Sequence, residues 1–258
     1  MPDIVLHNKI GEDVFRKMEP VQRTVIDYDI FRFALQGPDA FLFYRFFSPY
    51  RNKDVVERSK TMHELKTGVF LTELAKEAYN DKVFSFLAGF LCHYALDSVA
   101  HPYIIKKANG IKYMHMAIEH RLDMLELGRL GKTRGSISEV LPAYPVVPEV
   151  GRVVEKVYGW NDCLWQTSYR HMRLWYKVIK DKYNVLYLVF HIMRSEKAAI
   201  PYSSRICEHM DLSEFDSLYL KAVEEAVMFI SAVYDFTKDR ISEKKLKRII
   251  GNRSYSGS

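Results

Sequence analysis

Cysteine is scarce in this chain: 258 residues hold three, Cys92, Cys163 and Cys207, with no C-x-x-C pair. So few, so far apart, they build neither a disulfide framework nor a thiolate zinc site. The opening MPDIVLHNKIGEDVF lacks the basic-then-apolar pattern of a secretion signal, so the expected location is cytoplasmic. Membrane-spanning runs free of charge are missing as well. The most apolar stretch, residues 83–105, carries His93, Asp97 and His101, which a bilayer centre tolerates poorly, so it reads as a core helix. Strict apolar and polar alternation is rare, which argues against sheet. A broad positive surface is absent too. Of the formal +6, an excess of five sits between Lys238 and Arg253, where seven basic residues face two acidic ones. The remainder is nearly neutral and offers no patch for a phosphate backbone, which makes nucleic acid the less favoured partner.

What the chain does have is enough apolar material for a large core, with 48% hydrophobic and 14% aromatic residues. Apolar residues recur at three and four, as in Met62, Leu65, Val69, Leu74 and Ala78, so the fold class is all-α, a single multi-helix domain. The expected helices are 11–19, 22–36, 58–79, 82–105, 112–130, 152–158, 162–181, 183–198 and 213–239, with Asp81 as N-cap of the fourth. Residues 131–149, with Gly131, Gly135, Pro142, Pro145 and Pro148, read as a long loop rather than a domain boundary. The helical domain is taken as 1–240 and the basic tail as 241–258, expected to fray. Within that tail Ile241, Leu246, Ile249 and Ile250 alternate with Lys244, Lys245, Lys247 and Arg248. They describe a short amphipathic helix that either rests on anionic lipid as a peripheral membrane contact or closes the core with its isoleucines. The second reading is preferred.

Chemistry concentrates in HYALDSVAH, residues 93–101. On a helix His93, Asp97 and His101 fall within an arc of roughly 80° on one face, yet the two histidines lie about 12 Å apart along the axis, too far for one ion. Asp97 between them can share an ion with His93 and orient His101 or bridge to a second ion. The next helix repeats the device with His115, Glu119 and Asp123, and the turn at Asn109–Gly110 lets the two helices run antiparallel. Four of the nine histidines, His120 included, fall within residues 93–120. Either these groups pair among themselves in the core, each needing a partner at a desolvation cost of roughly 1–3 kcal/mol, or a metal satisfies them together. The metal reading is preferred. His171, His191 and His209, lacking such company, are set aside as ordinary hydrogen-bonded or exposed histidines. The aromatic run FLFYRFFSPY, residues 41–50, is read as core ahead of an apolar entrance. Arg32, Arg45 and Arg51 stay open between phosphate contact and solvent.

On LHNKIGEDVF, FALQGPDAF, HELKTGVFL, AGFLCHYALDSVAHPYI and HMAIEHRLD, residues 1 to about 125, the chain resembles the zinc-dependent phospholipase C family, whose all-helical fold is shared with the single-strand-specific zinc nucleases. The resemblance implies one ion held by Asp39, His63, His93 and Asp97 and a second by His101, His115 and Glu119. A third family ion uses the early histidine, here His7, with Asp97 and the free amino terminus of a tryptophan exposed by signal removal. This chain begins instead at Met1, six residues before His7, so two or three Zn2+ ions are expected, other first-row divalent metals being compatible with the ligands. The resemblance further implies a phosphoric-diester hydrolase of phospholipase C type, in which a metal-bound hydroxide attacks phosphorus and Asp39 accepts the proton of the attacking water. The implied partner is a phospholipid or another phosphodiester. Asp123, one turn beyond Glu119, is placed to orient His120 or a neighbouring ligand, while His120 is equally compatible with a structural part. Ala40 stands where the best-known phospholipases carry an aromatic residue that helps to select choline, so a phosphatidylcholine preference is not implied. A nuclease or phosphomonoesterase on the same site, and a non-catalytic metal-binding protein, are the alternatives.

Overall fold

The apolar run from residue 83 becomes, in a computed structural model, the middle of a 28-residue central helix. The structure describes residues 4–46, 48, 52–65, 67–111, 114–132, 141–143, 147–161, 164–178 and 209–254. Among these the α-helices are α1 (Ile4–Lys17), α2 (Pro20–Arg23), α3 (Tyr28–Ala34), α4 (Lys53–Glu64), α5 (Thr67–Lys76), α6 (Asp81–Ala108), α7 (Met114–Arg129), α8 (Pro148–Tyr158), α9 (Trp165–Val178), α10 (Glu214–Thr237) and α11 (Glu243–Ile250). A 3-10 helix, Gly37–Phe43, follows α3. No strand occurs among the described residues, as the periodicity predicts.

Helix α6 is apolar nearly all round, which demands burial on every side. It is packed between α10, α3, α1, α7 and α5. By length and composition it could cross a membrane, but 89% of its apolar window is buried inside the protein, as a core helix requires. At Gly89 the fit is closest: a Cβ there would lie 2.2 Å from the Phe31 carbonyl oxygen of α3. The helix is capped by Asn80, whose side chain accepts from the Lys82 amide, so the expected Asp81 cap is one residue late. It ends at Asn109 in the left-handed region (φ 48°), followed by Gly110 (φ 70°). That is the expected turn to α7.

Two expected helices are split. Residues 22–36 break before Asp27, whose carboxylate accepts from the amides of Asp29 and Ile30 and starts α3 afresh. Residues 58–79 break at Leu65, which adopts extended backbone, and the Thr67 hydroxyl donates to the Met62 carbonyl across the break. Helix α1 begins at Ile4, earlier than residue 11. The expected helix 183–198, the last residues of 162–181, and Gly135, Pro145, Cys163, His191 and Cys207 lie outside the described residues.

Fraying after Arg240 is not what the structure gives up to Ser254. Leu246 and Ile250 of α11 are buried against the rest of the chain, the closing role preferred above. Beyond it Asn252 Oδ1 accepts from the Gly68 amide at 2.8 Å. Arg253 donates its amide to the Tyr94 hydroxyl at 3.0 Å and pairs with Glu225. The first part of the aromatic run also behaves as core: Phe41, Phe43 and Tyr44 are buried, while half-buried Leu42 reaches the cavity of the centre; Phe47, Pro49, Tyr50 and Arg51 lie outside the described residues.

Candidate metal centre

Five pieces of chain meet at one point. Helix α1 brings His7, the 3-10 helix Asp39, α4 His63, α6 His93, Asp97 and His101, and α7 His115 and Glu119. Asp97 is the hub. Its carboxylate faces four imidazole Nε2 atoms: His93 at 3.2 Å, His63 at 3.3 Å, His7 at 3.4 Å and His101 at 3.7 Å. Asp39 lies on the other side of the same group, 3.3 Å from His63 Nε2 and 3.9 Å from those of His7 and His93. The second group is smaller: Glu119 Oε1 sits 2.8 Å from His115 Nε2 and 3.1 Å from His101 Nε2.

Backbone carbonyls decide what those nitrogens offer. His63 Nδ1 lies 2.6 Å from the Ser59 carbonyl oxygen and His93 Nδ1 lies 3.2 Å from that of Leu35. A carbonyl only accepts, so each Nδ1 carries hydrogen and the neutral ring turns a lone pair on Nε2 toward the carboxylates. Two acceptors opposed at about 3.2 Å in a buried setting repel unless a cation or a proton lies between them. Asp97 Oδ2 is buried and receives no hydrogen bond, and His7 Nδ1 is likewise buried without one. The ligand atoms of His7, Asp39, His93 and Asp97 lie within 4.8 Å of one another, and those of His101, His115 and Glu119 form a second such set. Mixed nitrogen and oxygen donors of this kind suit zinc and neighbouring first-row ions.

Without a metal, protons take the same places. Burial opposes charge on His63, but Asp39 and Asp97 outweigh it and lift the imidazole to about 10. His101 is lifted to about 9 against burial by Asp97 and Glu119. Burial and the neighbouring His93 push His7 the other way, to about 4. Burial works against ionising Asp39, yet His63 holds it below the usual carboxylate range. Against the same burial penalty, Asp97 falls well below that range beside His101, His93 and His7, and Glu119 falls beside His101 and His115.

Several features around the ligands have no long-range signal in the sequence. Gly37, at φ 47°, leaves room where a Cβ would come 2.4 Å from His93 Cδ2, and the Trp165 indole donates to its carbonyl at 2.9 Å. Asp123 accepts from the amides of Val5 and Leu6 at 3.2 and 3.0 Å. It therefore fastens the first turn of α1, next to His7, to α7. Burial raises Asp123 to about 8 although both amides favour its ionised form. His120 is half-buried on α7 and does not line the cavity. His171 accepts from the Arg45 amide at 3.0 Å and His209 is exposed, as expected of histidines outside the centre. Neither Arg32 nor Arg45 lines the cavity.

The centre opens onto a cavity of about 290 Å³. A closed structural zinc site has no such opening. The sequence model of the zinc-dependent phospholipase C family matches residues 29–194. This chain belongs to that family. The match covers more than half of the chain and includes Asp39, His63, His93, Asp97, His101, His115 and Glu119. It reaches further toward the C-terminus than the motifs quoted above, and His7 lies before its start. No curated protein and no solved structure matches the chain. Membership, the buried donors and the open cavity together support a zinc-dependent hydrolase with a metal-binding centre.

Proposed function

We propose that the protein hydrolyses phosphoric diesters in the manner of a phospholipase C, using two or three zinc ions. The observation that carries this reading is Asp97, a buried carboxylate ringed by imidazole nitrogens and placed at the floor of an open cavity. The first ion falls to Asp39, His63, His93 and Asp97, with His7 close enough to join it or to hold a third; the second falls to His101, His115 and Glu119. Zinc bound there supplies Lewis acidity toward phosphoryl oxygens and lowers the pKa of water.

The protein's own groups do the remainder. Eight donors carry three carboxylates and five imidazoles, so two divalent ions leave a net charge of about +1, which draws an anionic diester. Asp39 faces the cavity from the 3-10 turn and is the carboxylate that takes the proton of the attacking water. Ser59 and Leu35 carbonyls hold His63 and His93 in one tautomer, so the ligands are set before substrate arrives. The apolar residues beside the ligands, Leu96, Ala100 and Ile104, favour an amphiphilic diester over a nucleic acid. Peripheral contact of the exposed basic residues of α11 with anionic lipid, and a cytoplasmic setting that keeps the buried Cys92 thiol reduced, belong to the same proposal.

The test is metal analysis of the purified protein followed by assay on bis-p-nitrophenyl phosphate, phosphatidylcholine and single-stranded DNA. Zinc-dependent release from the first two is expected. No turnover of any diester by fully loaded protein would leave a structural metal centre in its place.

A further inference from the structure

The cavity has two unlike walls. One is apolar: Leu96, Ala100, Ile104 and Ile105 from successive turns of α6, with Phe215 of α10 beside them. Ile105 is 43% exposed and carries this wall out to the surface. The other belongs to α4, where Ser59, Lys60, His63 and Glu64 fall on one helical face. The metal-ligating groups lie between the two. A diester bound at its phosphate therefore meets hydrocarbon on one side and α4 on the other, which is how an acyl-bearing half and a polar head group divide.

Lys60 and Glu64 occupy the α4 wall with opposite charges one turn apart. An i, i+4 pair in this order, lysine first, is the weaker orientation on a helix, and neither residue forms an ion pair among the described residues. Both heads are exposed and remain available to a ligand. A quaternary ammonium, by contrast, wants a cage of tryptophan, tyrosine or phenylalanine rings, and among the described residues the only one of these lining the cavity is Phe215, on the opposite wall. Building on the diester-hydrolase reading above, we infer that Lys60 and Glu64 select a head group bearing both an ammonium and a carboxylate, as phosphoserine does. Glu64 takes the ammonium and Lys60 the carboxylate. Ethanolamine and choline each satisfy Glu64 alone and leave Lys60 facing a like charge, and choline, which has no N–H, also offers Glu64 no hydrogen bond.

Zinc-loaded protein is assayed on mixed micelles carrying phosphatidylserine, phosphatidylethanolamine or phosphatidylcholine, with bis-p-nitrophenyl phosphate, which has no head group, in parallel. The expected order of kcat/KM is serine, then ethanolamine, then choline. In Lys60→Gln the serine-to-ethanolamine ratio falls about fivefold, the range an exposed ion pair supports. In Glu64→Gln the serine and ethanolamine lipids both lose rate while their ratio holds. Choline cleaved as fast as serine, or a serine-to-ethanolamine ratio unmoved in Lys60→Gln, overturns the head-group assignment while turnover of bis-p-nitrophenyl phosphate leaves the hydrolase reading standing. Failure on every diester overturns the hydrolase reading itself.

Discussion

At the scale of single residues, Asp97 carries the most consequence, because both groups of ligands lean on it. Asp97→Asn keeps the shape and removes the charge that faces four imidazoles. Metal retained after dialysis should fall by at least one ion per chain, a larger loss than the roughly 10–100-fold weakening that follows when a residue merely orienting a ligand is changed. Elemental analysis against protein concentration checks this, with His171→Ala keeping its full complement. The ionisation of His63 and His101 gives a second expectation. Both are held above the ordinary 6.5, at about 10 and about 9. In the metal-free protein their pairing with the carboxylates contributes stability in full below pH 6.5 and loses it as pH rises through 9 to 10. Metal-free protein should therefore melt at progressively lower temperature across that window. Zinc binding at pH 7 should release protons, read by calorimetry in buffers of different ionisation heat. Most of the proposed ligands were legible from spacing, since His93, Asp97 and His101, then His115 and Glu119, fall four apart on helical faces. His7, Asp39 and His63 stand alone in sequence, and only the family resemblance marked them. The carbonyl partners and the Gly37 gap answer to no local pattern.

At the scale of elements, α6 and α7 carry five of the eight proposed ligands, so the spacing of α6 from its neighbours governs the centre. Gly89 sets that spacing against α3. Gly89→Val places atoms into the Phe31 carbonyl and should cost about 1–3 kcal/mol or more, visible as a lower melting temperature together with weaker zinc binding. Gly37→Ala acts more locally, adding both a strained φ and a clash with His93. Its expected signature is loss of metal out of proportion to loss of stability, followed by comparing zinc affinity with urea denaturation. Helical periodicity made α6, α7 and α10 readable to within a few residues. It missed the breaks at Asp27 and Leu65, because the apolar repeat passes through both while the backbone is turned by a cap at one and extended at the other.

At the scale of the whole molecule, the proposed ligands come from residue 7 to residue 119, so an ion held by them would bind the folded chain and not the unfolded one. Free zinc at about a thousand times its dissociation constant adds roughly 4 kcal/mol, and each kcal/mol moves the midpoint of a chain of this size by roughly 2–4 °C. Treatment with a chelator should lower the melting temperature by roughly 10 °C, and restored zinc should return it. A shift near zero would mean that the helices hold the centre without help. The all-helical class was legible throughout. For the last helix core closure was preferred only over a live lipid alternative, because an amphipathic pattern does not name the surface it covers. The clasp of Asp123 on the amides of Val5 and Leu6 joins positions more than a hundred residues apart. The earliest donor in chain order is thus held in place by a residue of α7, the last helix to contribute to the centre. A chain ending before α7 lacks that clasp together with His115 and Glu119, and should hold metal far more weakly than the whole.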